Sequence, residues 1–248
     1  MKLSTLFRTL SYAIAIGLIV IVFTIPMLIV IMMPKRLRRN MPFLYTIHHL
    51  VYWLLVKSWW VPVTIKGWHN IPADKPVIFA ANHQSSIDMP LLGLLATGHP
   101  HVWLAWYELV RYPLLGLFIK RMAVVVDTRS PRRAVNALHE AGQLLQGSTR
   151  HLMIFPEGGR YLQLHDFFLG FAILAKETHR PVVPVYLVNT GTVCPPNTSW
   201  IQYAPITVII GSPFTYLSGE SEVAFVERVR AWFLQQEQHI SGTTKSVM

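Results

Sequence analysis

The chain has 248 residues, of which 52% are hydrophobic and only 14% charged, and its mean hydropathy is positive at +0.38. This composition excludes a disordered protein, because disordered chains carry more charge and fewer apolar residues. The 22 Lys and Arg exceed the 12 Asp and Glu by +10, which suits an anionic lipid surface, a nucleic acid or a phosphorylated substrate. A single cysteine, Cys194, excludes an internal disulfide framework and a cysteine-based zinc site.

A long apolar segment near the amino terminus predicts a membrane-embedded helix. Residues 11–33 contain no charged side chain, and at 1.5 Å per residue they can cross the roughly 30 Å hydrocarbon layer. A cleaved signal peptide is the alternative, but a basic stretch at 35–39 follows instead of a small-residue cleavage site. Pro26 would kink a spanning helix, so spanning and re-entrant insertion both remain open.

The sequence after this segment predicts how the chain is oriented and where the membrane part ends. Four basic residues at 35–39 outnumber Lys2 and Arg8 before the segment, which favours a cytoplasmic location for everything downstream. A second apolar stretch, 43–63, is rich in aromatic residues and contains Lys57, which is typical of an interfacial helix over about 43–61. We therefore expect an N-terminal membrane anchor at 1–62 and a second domain at 63–248.

The pattern after residue 62 predicts an α/β fold. Continuous apolar runs indicate a mixed sheet that is mostly covered on both faces by flanking helices. The predicted strands are 61–66, 77–81, 101–105, 123–127, 151–155, 182–188 and 206–210. The predicted helices are 90–96, 113–121, 131–146 with Ser130 as the N-cap, 166–177 and 220–238, and residues 193–200 are predicted as a loop.

His83 and Asp88 follow the predicted strand 77–81, at the kind of strand end where active sites of α/β sheets collect. Five residues along a helix span about 140° around its axis, so the two side chains meet only if His83 lies in a turn and Asp88 at a helix entrance. Pro90 supports such an entrance. An Asp that accepts one imidazole N–H leaves the other nitrogen as a base. The alternative is two unrelated caps, of a turn and of a helix.

A second polar segment follows the predicted strand 151–155. Gly158 and Gly159 allow backbone N–H groups to approach an oxyanion or phosphate, and Arg160 offers a planar fork for phosphate. Glu157 can accept hydrogen bonds from hydroxyl groups. The alternative is an ordinary Pro-Glu-Gly-Gly turn with a solvated arginine.

The two polar segments, in this order and about 70 residues apart, resemble the first and third sequence blocks of the glycerolipid acyltransferase superfamily. The second block of that family resembles residues 108–116 continuing to 126–129, and the fourth resembles 181–185. The resemblance covers roughly 76–188. The N-terminal apolar segments and the length also resemble bacterial 1-acyl-sn-glycerol-3-phosphate acyltransferases.

This resemblance implies an acyl transfer from acyl-CoA or acyl carrier protein to the free hydroxyl of 1-acyl-sn-glycerol-3-phosphate, giving phosphatidic acid in phospholipid biosynthesis, with no metal or other cofactor. His83, held by Asp88, would be the general base of an acyltransferase domain at 63–248. Glu157, Gly158 and Arg160 would bind the acceptor, with Arg160 on its phosphate. Arg129, which ends the second block, is included among the substrate-binding residues.

The chain departs from the family pattern at several positions, and most departures remove a cation or a hydroxyl. An acceptor with a masked phosphate or none, such as a headgroup-bearing lysophospholipid or a lyso-aminolipid, therefore stays open. A thioester or lipid hydrolase that uses the same His and Asp, and a non-catalytic membrane-binding module, are further alternatives. The departures are Gly159, Tyr161, Trp106-Tyr107 in place of a lysine segment, and 168–170.

The remaining features predict partners and location. The basic charge and the apolar anchor favour anionic membrane lipids, and the cations are not gathered on a nucleic-acid recognition element. Neither His48-His49 nor the pair His99 and His101 has a third ligand at metal-site spacing, so we expect no metal site. We expect the bacterial inner membrane as the location, with the catalytic domain facing the cytoplasm.

Overall fold

Two helices precede the first strand of the protein. The computed structural model describes residues 2–34, 41–112, 115–127 and 129–245. Helix α1 spans Leu3–Met32 and contains Pro26, and helix α2 spans Pro42–Ser58 with its proline in the first turn. The two helices pack against each other. The basic stretch at 35–39 lies outside the described residues, so the orientation that it favours stays a prediction.

Helix α1 leaves a long apolar face uncovered. Its segment Leu3–Pro26 is long and apolar enough to cross a membrane, and no other helix in the described ranges meets that condition. An exposed apolar surface of this size is typical of a membrane-contacting element. The exposed large apolar side chains of α1 are Leu3, Phe7, Leu10, Ile14, Ile16, Leu18, Val20, Ile21, Val22, Ile25, Leu28, Ile29 and Met32. The predicted membrane association is supported by this face.

One mixed sheet forms the centre of the fold, as predicted. Within the described residues it has seven strands in the order β1-β7-β6-β2-β5-β3-β4. Only β6 and β7 are antiparallel, and every other neighbouring pair is parallel. The strands are β1 (Val63–Lys66), β2 (Ile78–Ala81), β3 (His101–Trp106), β4 (Val124–Val126), β5 (His151–Ile154), β6 (Val182–Val188) and β7 (Ile206–Ile210).

Helices cover both faces of this sheet. They are α3 (Asp88–Leu94), α4 (Leu115–Met122), α5 (Pro131–Leu145), α6 (Gly170–Thr178), the short α7 (Thr190–Val193) and α8 (Glu222–Lys245). Helices α2 and α3 cover one face, here named the α2 face, whose core includes Trp59, Phe79 and Leu91. Helices α5, α6 and α8 cover the opposite α8 face, whose core includes Phe171 and Phe225.

The predicted elements agree with the observed ones to within two residues for all seven strands, and less closely for some helices. Helix α5 begins as predicted, because the Ser130 hydroxyl accepts the Arg133 N–H at 3.4 Å and Pro131 follows. Helix α6 begins at Gly170 instead of 166, because the preceding residues form a loop bonded to the end of β5. Helix α8 continues seven residues past the predicted end at 238.

The parallel strands direct the site residues to one edge of the sheet. The carboxyl ends of β2, β5, β3 and β4 all lie at this edge, because the four strands run in the same direction. The segments that follow these strands are 82–88, 155–169, 107–111 and 127–130. Every predicted site residue belongs to one of the segments after β2, β5 and β4.

Candidate active site

His83 and Asp88 form a hydrogen-bonded pair. The imidazole Nδ1 lies 2.8 Å from Asp88 Oδ2. His83 lies in the turn after β2, and Asp88 is the first residue of α3, so the backbone has the arrangement that pairing requires. Because a buried carboxylate accepts hydrogen bonds, Nδ1 carries the proton in this assignment and Nε2 carries the free lone pair.

The Asp88 carboxylate also organises the turn that carries His83. Its Oδ2 accepts the backbone N–H groups of Gln84 and Ser85, each at 2.7 Å. Three donors therefore converge on one oxygen. Oδ1 is buried and has no hydrogen-bond partner within the described part of the chain. A single carboxylate thus fixes both the turn and the imidazole that projects from it.

Aromatic stacking fixes the plane of the His83 ring. Phe155 lies parallel to it, with ring centroids 3.9 Å apart and an interplanar angle of 10°. Trp103 packs behind Phe155 at 5.9 Å. The His83 side chain remains 16% exposed. Since Nδ1 is occupied and one ring face is covered, Nε2 is the nitrogen left for a substrate.

Glu157 joins the two polar segments. Its Oε1 accepts the His83 backbone N–H at 2.7 Å, and its Oε2 accepts the His165 backbone N–H at 2.8 Å. The side chain is only 2% exposed, and this burial raises the pKa of the Glu157 carboxyl to about 7, with a further increase from the charge of Asp88. The two backbone hydrogen bonds oppose the increase. Both oxygens that were expected to meet a hydroxyl are thus engaged by the protein backbone.

The loop after β5 favours glycine at position 158. Gly158 has φ +65°, and a Cβ there would lie 2.5 Å from the Phe168 ring. Its N–H donates to the Phe155 carbonyl at 3.1 Å, so this N–H is already used. The Tyr161 N–H donates to the His83 carbonyl at 2.8 Å. The glycine loop and the histidine turn therefore form one bonded unit.

Arg160 and Arg129 are placed differently. Arg160 lies on the glycine loop, is exposed, and has no ion pair or hydrogen bond within the residues described. Arg129 pairs with Asp127 at 2.9 Å and with Glu108 at 3.0 Å, and it stacks on Tyr107. β5 and β3 lie between β2 and β4, so the two strands are three spacings of about 4.8 Å, or about 14 Å, apart. The structure therefore brings Arg160 to the His83 segment and leaves Arg129 at a distance, bound to carboxylates.

Exposed aromatic side chains lie at the carboxyl edge of the sheet, at positions where the family pattern has lysines. Trp106 at the end of β3 is 52% exposed, and Phe168 in the loop after β5 is 60% exposed. An apolar rim of this kind is typical of a surface that meets lipid. In the described ranges no group of three or more His, Cys, Asp or Glu side chains is arranged to hold a metal ion.

Several site residues were not predicted from the sequence. Asn82 ties the end of β2 to β6, because its side chain donates to the Leu187 carbonyl and accepts the Leu187 N–H. The position of Asn82 directly before His83 is a feature of the sequence from which a role at the site could have been predicted. The stacking of Phe155 on His83 and the position of Trp103 had no such signal, since they depend on the order of the strands.

Comparisons with known proteins identify similar chains. The family model described as Acyltransferase matches residues 62–188. A 1-acyl-sn-glycerol-3-phosphate acyltransferase of Limnanthes douglasii is 31% identical over 163 residues, which are 64% of this chain and 57% of the relative. Relatives with the same description from Cocos nucifera and Saccharomyces cerevisiae are each 29% identical, over 86% and 73% of this chain and 69% and 64% of their own lengths. The chain thus spans little more than half of the first relative.

A solved structure has the same fold. The crystal structure of the 1-acyl-sn-glycerophosphate (LPA) acyltransferase, PlsC, from Thermotoga maritima superposes with a TM-score of 0.76. The match covers 96% of this chain and 97% of that one, at 21% sequence identity. The shared architecture therefore includes the N-terminal helices as well as the sheet.

Proposed function

The chain belongs to the acyltransferase family, and we propose that it transfers a fatty acyl group from acyl-CoA or acyl carrier protein to the free hydroxyl of 1-acyl-sn-glycerol-3-phosphate, making phosphatidic acid. The observation that carries the proposal is the His83–Asp88 pair, 2.8 Å apart on a turn that Asp88 itself fixes. The named activities of the similar chains support this choice of reaction.

The pair acts as a general base in the proposed reaction. His83 Nε2 takes the proton of the acceptor hydroxyl while the hydroxyl oxygen attacks the thioester carbonyl. Asp88 stabilises the imidazolium that forms. The tetrahedral intermediate then expels the thiolate, which takes the proton back from the imidazolium, so the products are an ester and a thiol. Base catalysis of this kind contributes typically 10² to 10⁴-fold.

The glycine loop forms the acceptor side of the proposed site. Arg160 is the cation that we assign to the acceptor phosphate, because it is exposed on this loop and has no acidic partner among the described residues. Gly158 allows the loop to approach the acceptor closely. Glu157 acts as a positioning residue, since its oxygens hold the His83 and His165 backbone. For Arg129 to bind the acceptor, the acceptor phosphate would have to replace one of the carboxylates that Arg129 pairs with.

We assign residues 1–62 to the membrane anchor and 63–248 to the catalytic unit. The uncovered apolar face of α1 supports insertion into lipid, and the net charge of +10 suits anionic lipids. Because acyl-CoA and acyl carrier protein are cytoplasmic donors, the catalytic unit faces the cytoplasm, at the inner membrane of a bacterium. The proposed acyl transfer from a thioester to a hydroxyl requires neither a metal ion nor a redox cofactor.

A second acceptor class is favoured by one specific observation. The exposed aromatic side chains Trp106 and Phe168 lie at the positions where the family pattern has cations. An apolar rim suits a lysolipid whose phosphate carries a headgroup, or a lyso-aminolipid, better than it suits a dianionic phosphate.

The test compares purified full-length wild type, His83→Ala and His139→Ala in detergent. Acyl-CoA and acyl carrier protein donors are each offered with lysophosphatidate, a headgroup-bearing lysophospholipid, a lyso-aminolipid or no acceptor. We expect product with lysophosphatidate, a loss of at least about 10²-fold in His83→Ala, and normal turnover in His139→Ala, which changes an exposed histidine of α5. Product formed only with one of the other acceptors would mean that this acceptor, and not lysophosphatidate, is the substrate. Thioester cleavage at full rate without any acceptor would indicate a hydrolase.

A further inference from the structure

Helix α2 contacts the helix that begins with Asp88 through the ring of Tyr52. A Cβ at Gly93 of α3 would lie 2.4 Å from Cε2 of the Tyr52 ring, so the ring occupies the notch that glycine leaves open. Since α3 is one continuous helix that begins at Asp88 and packs on α2, the Tyr52 ring sets how closely α2 and α3 approach. The N-terminal helices are therefore in direct contact with the support of the Asp88 carboxylate.

The hydroxyl of the same tyrosine belongs to a directed chain of hydrogen bonds. His101 Nδ1 lies 2.9 Å from the His99 carbonyl and so must carry the proton, which leaves Nε2 as an acceptor. The Tyr52 hydroxyl, 3.3 Å away, donates to Nε2 and accepts the Trp103 indole N–H at 3.1 Å. Burial lowers the pKa of His101 to about 4, which keeps this tautomer neutral near pH 7. Each hydrogen-bond donor in this series of three side chains therefore has an acceptor.

Trp103 extends this chain to the catalytic base. The indole that donates to Tyr52 packs on Phe155 with ring centroids 5.9 Å apart. Phe155 in turn lies parallel to the His83 imidazole at 3.9 Å. Tyr52 thus contacts one structure that supports Asp88 and another that supports His83.

We propose that Tyr52 is a positioning residue for the His83–Asp88 pair, so that the seating of α2 sets the geometry of the base. This inference rests on the proposed function, in which His83 is the base. It makes α2 a part of the active-site support as well as a part of the anchor. Removing the hydroxyl frees the indole to tilt, and displacement of a catalytic group by about 1 Å costs on the order of 10²-fold in rate.

The first experiment compares Tyr52→Phe with Tyr216→Phe in the full-length protein, in the same detergent and donor–acceptor assay. Tyr216 packs on the α8 face, its buried hydroxyl has no hydrogen-bond partner within the described residues, and it serves as the control. We expect kcat of Tyr52→Phe to fall about tenfold, with KM for both substrates within about twofold of wild type. We expect Tyr216→Phe to keep the wild-type kcat. Equal kcat in the two variants would overturn the inference.

A second variant tests the route through the indole. Trp103→Phe removes the other partner of the same hydrogen bond while keeping a ring against Phe155. The double variant with Tyr52→Phe should then lose no more kcat than the more affected single variant, because both changes remove one interaction. Independent, additive losses would contradict the proposed route. If Tyr52→Phe lacks a cooperative thermal transition, Trp103→Phe decides alone, and an unchanged kcat there overturns the inference.

His83→Ala in the same series separates this inference from the proposed function. An active His83→Ala variant would refute the base itself, and with it the positioning role. An inactive His83→Ala variant beside a fully active Tyr52→Phe variant would refute only the role of Tyr52.

Discussion

The two faces of the sheet have similar cores but different relations to the candidate site. On the α2 face, Trp103 and Phe155 pack against the buried core and continue to the His83 ring. On the α8 face, buried phenylalanines such as Phe225 and Phe233 pack among themselves and on α5 and α6. Packing on the α2 face therefore helps to set the position of the His83 imidazole, whereas packing on the α8 face contributes mainly to stability.

The polar content of the two faces differs in the same way. The α2 face holds the hydrogen-bonded chain of Trp103, Tyr52 and His101, which specifies one arrangement of side chains. Phe167, Phe171 and Phe233 on the α8 face meet edge to face, in contacts that involve no hydrogen bond. Changes on the α2 face should thus affect turnover, and changes on the α8 face should affect the free energy of unfolding.

The largest expected effect is that of Asp88→Asn, at the edge of the α2 face. Because all three donors converge on Oδ2, the amide can place its NH₂ there, which favours the wrong His83 tautomer and opposes two backbone N–H groups, or its oxygen, which leaves the NH₂ unpaired in the buried Oδ1 position. In both orientations the charge that stabilises the imidazolium is lost. We expect kcat to fall by about 10² to 10⁴-fold. Steady-state kinetics beside His83→Ala measures this loss. A kcat within threefold of wild type would show that the pair has no catalytic role.

A smaller effect, and on stability instead of turnover, is expected for Phe233→Ala. The ring is fully buried on the α8 face and meets Phe167 edge to face at 5.1 Å. Its removal should lower the free energy of unfolding by about 3 to 5 kcal/mol. Thermal unfolding measures this change and gives the folded fraction at the assay temperature, and kcat divided by that fraction should equal that of wild type. A reduced kcat per folded molecule would show that the α8 face also affects turnover, and would contradict the difference between the two faces.

The smallest expected effect is a pH dependence from Glu157, which lies between the faces at the carboxyl edge. Its pKa is about 7 in the folded protein and near 4.5 in the unfolded chain, so the folded state keeps a proton that the unfolded state has lost. Stability should therefore fall as pH rises from about 4.5 to about 7, by up to about 3 kcal/mol. Thermal unfolding at several pH values measures the slope. Glu157→Gln should flatten it, and an equal slope in both proteins would assign the dependence to other groups.

The sheet and most of its connections could be predicted from the sequence because they depend on local patterns. Continuous apolar runs gave the strands, and Ser130 followed by proline gave the start of α5. The start of α6 was predicted too early, because residues 166–169 belong to a loop. That loop is held by long-range bonds such as the His165 N–H to Glu157 and the Phe168 N–H to Pro156, which no local pattern reveals.

The same limit applies to the candidate site. The spacing of His83 and Asp88, with Pro90 after them, was enough to predict a turn followed by a helix entrance. The engagement of both Glu157 oxygens and the pairing of Arg129 with Asp127 and Glu108 depend on which strands are neighbours. Strand order is a global property, so it could not be derived from spacing along the chain.

The edge position of β1 has a consequence for biosynthesis. β1 directly follows the N-terminal helices, yet its strand partner is β7, and Asn70 just beyond β1 donates to the Ile210 carbonyl 140 positions later. At 5 to 20 residues per second, a ribosome needs about 7 to 28 seconds to make that interval. During this time the apolar helices leave the ribosome, while the first strand has an open edge that other chains can pair with. With residues 1–62 as the proposed anchor, delivery to the membrane begins before the sheet can close, and the sheet is completed on a chain that is already anchored.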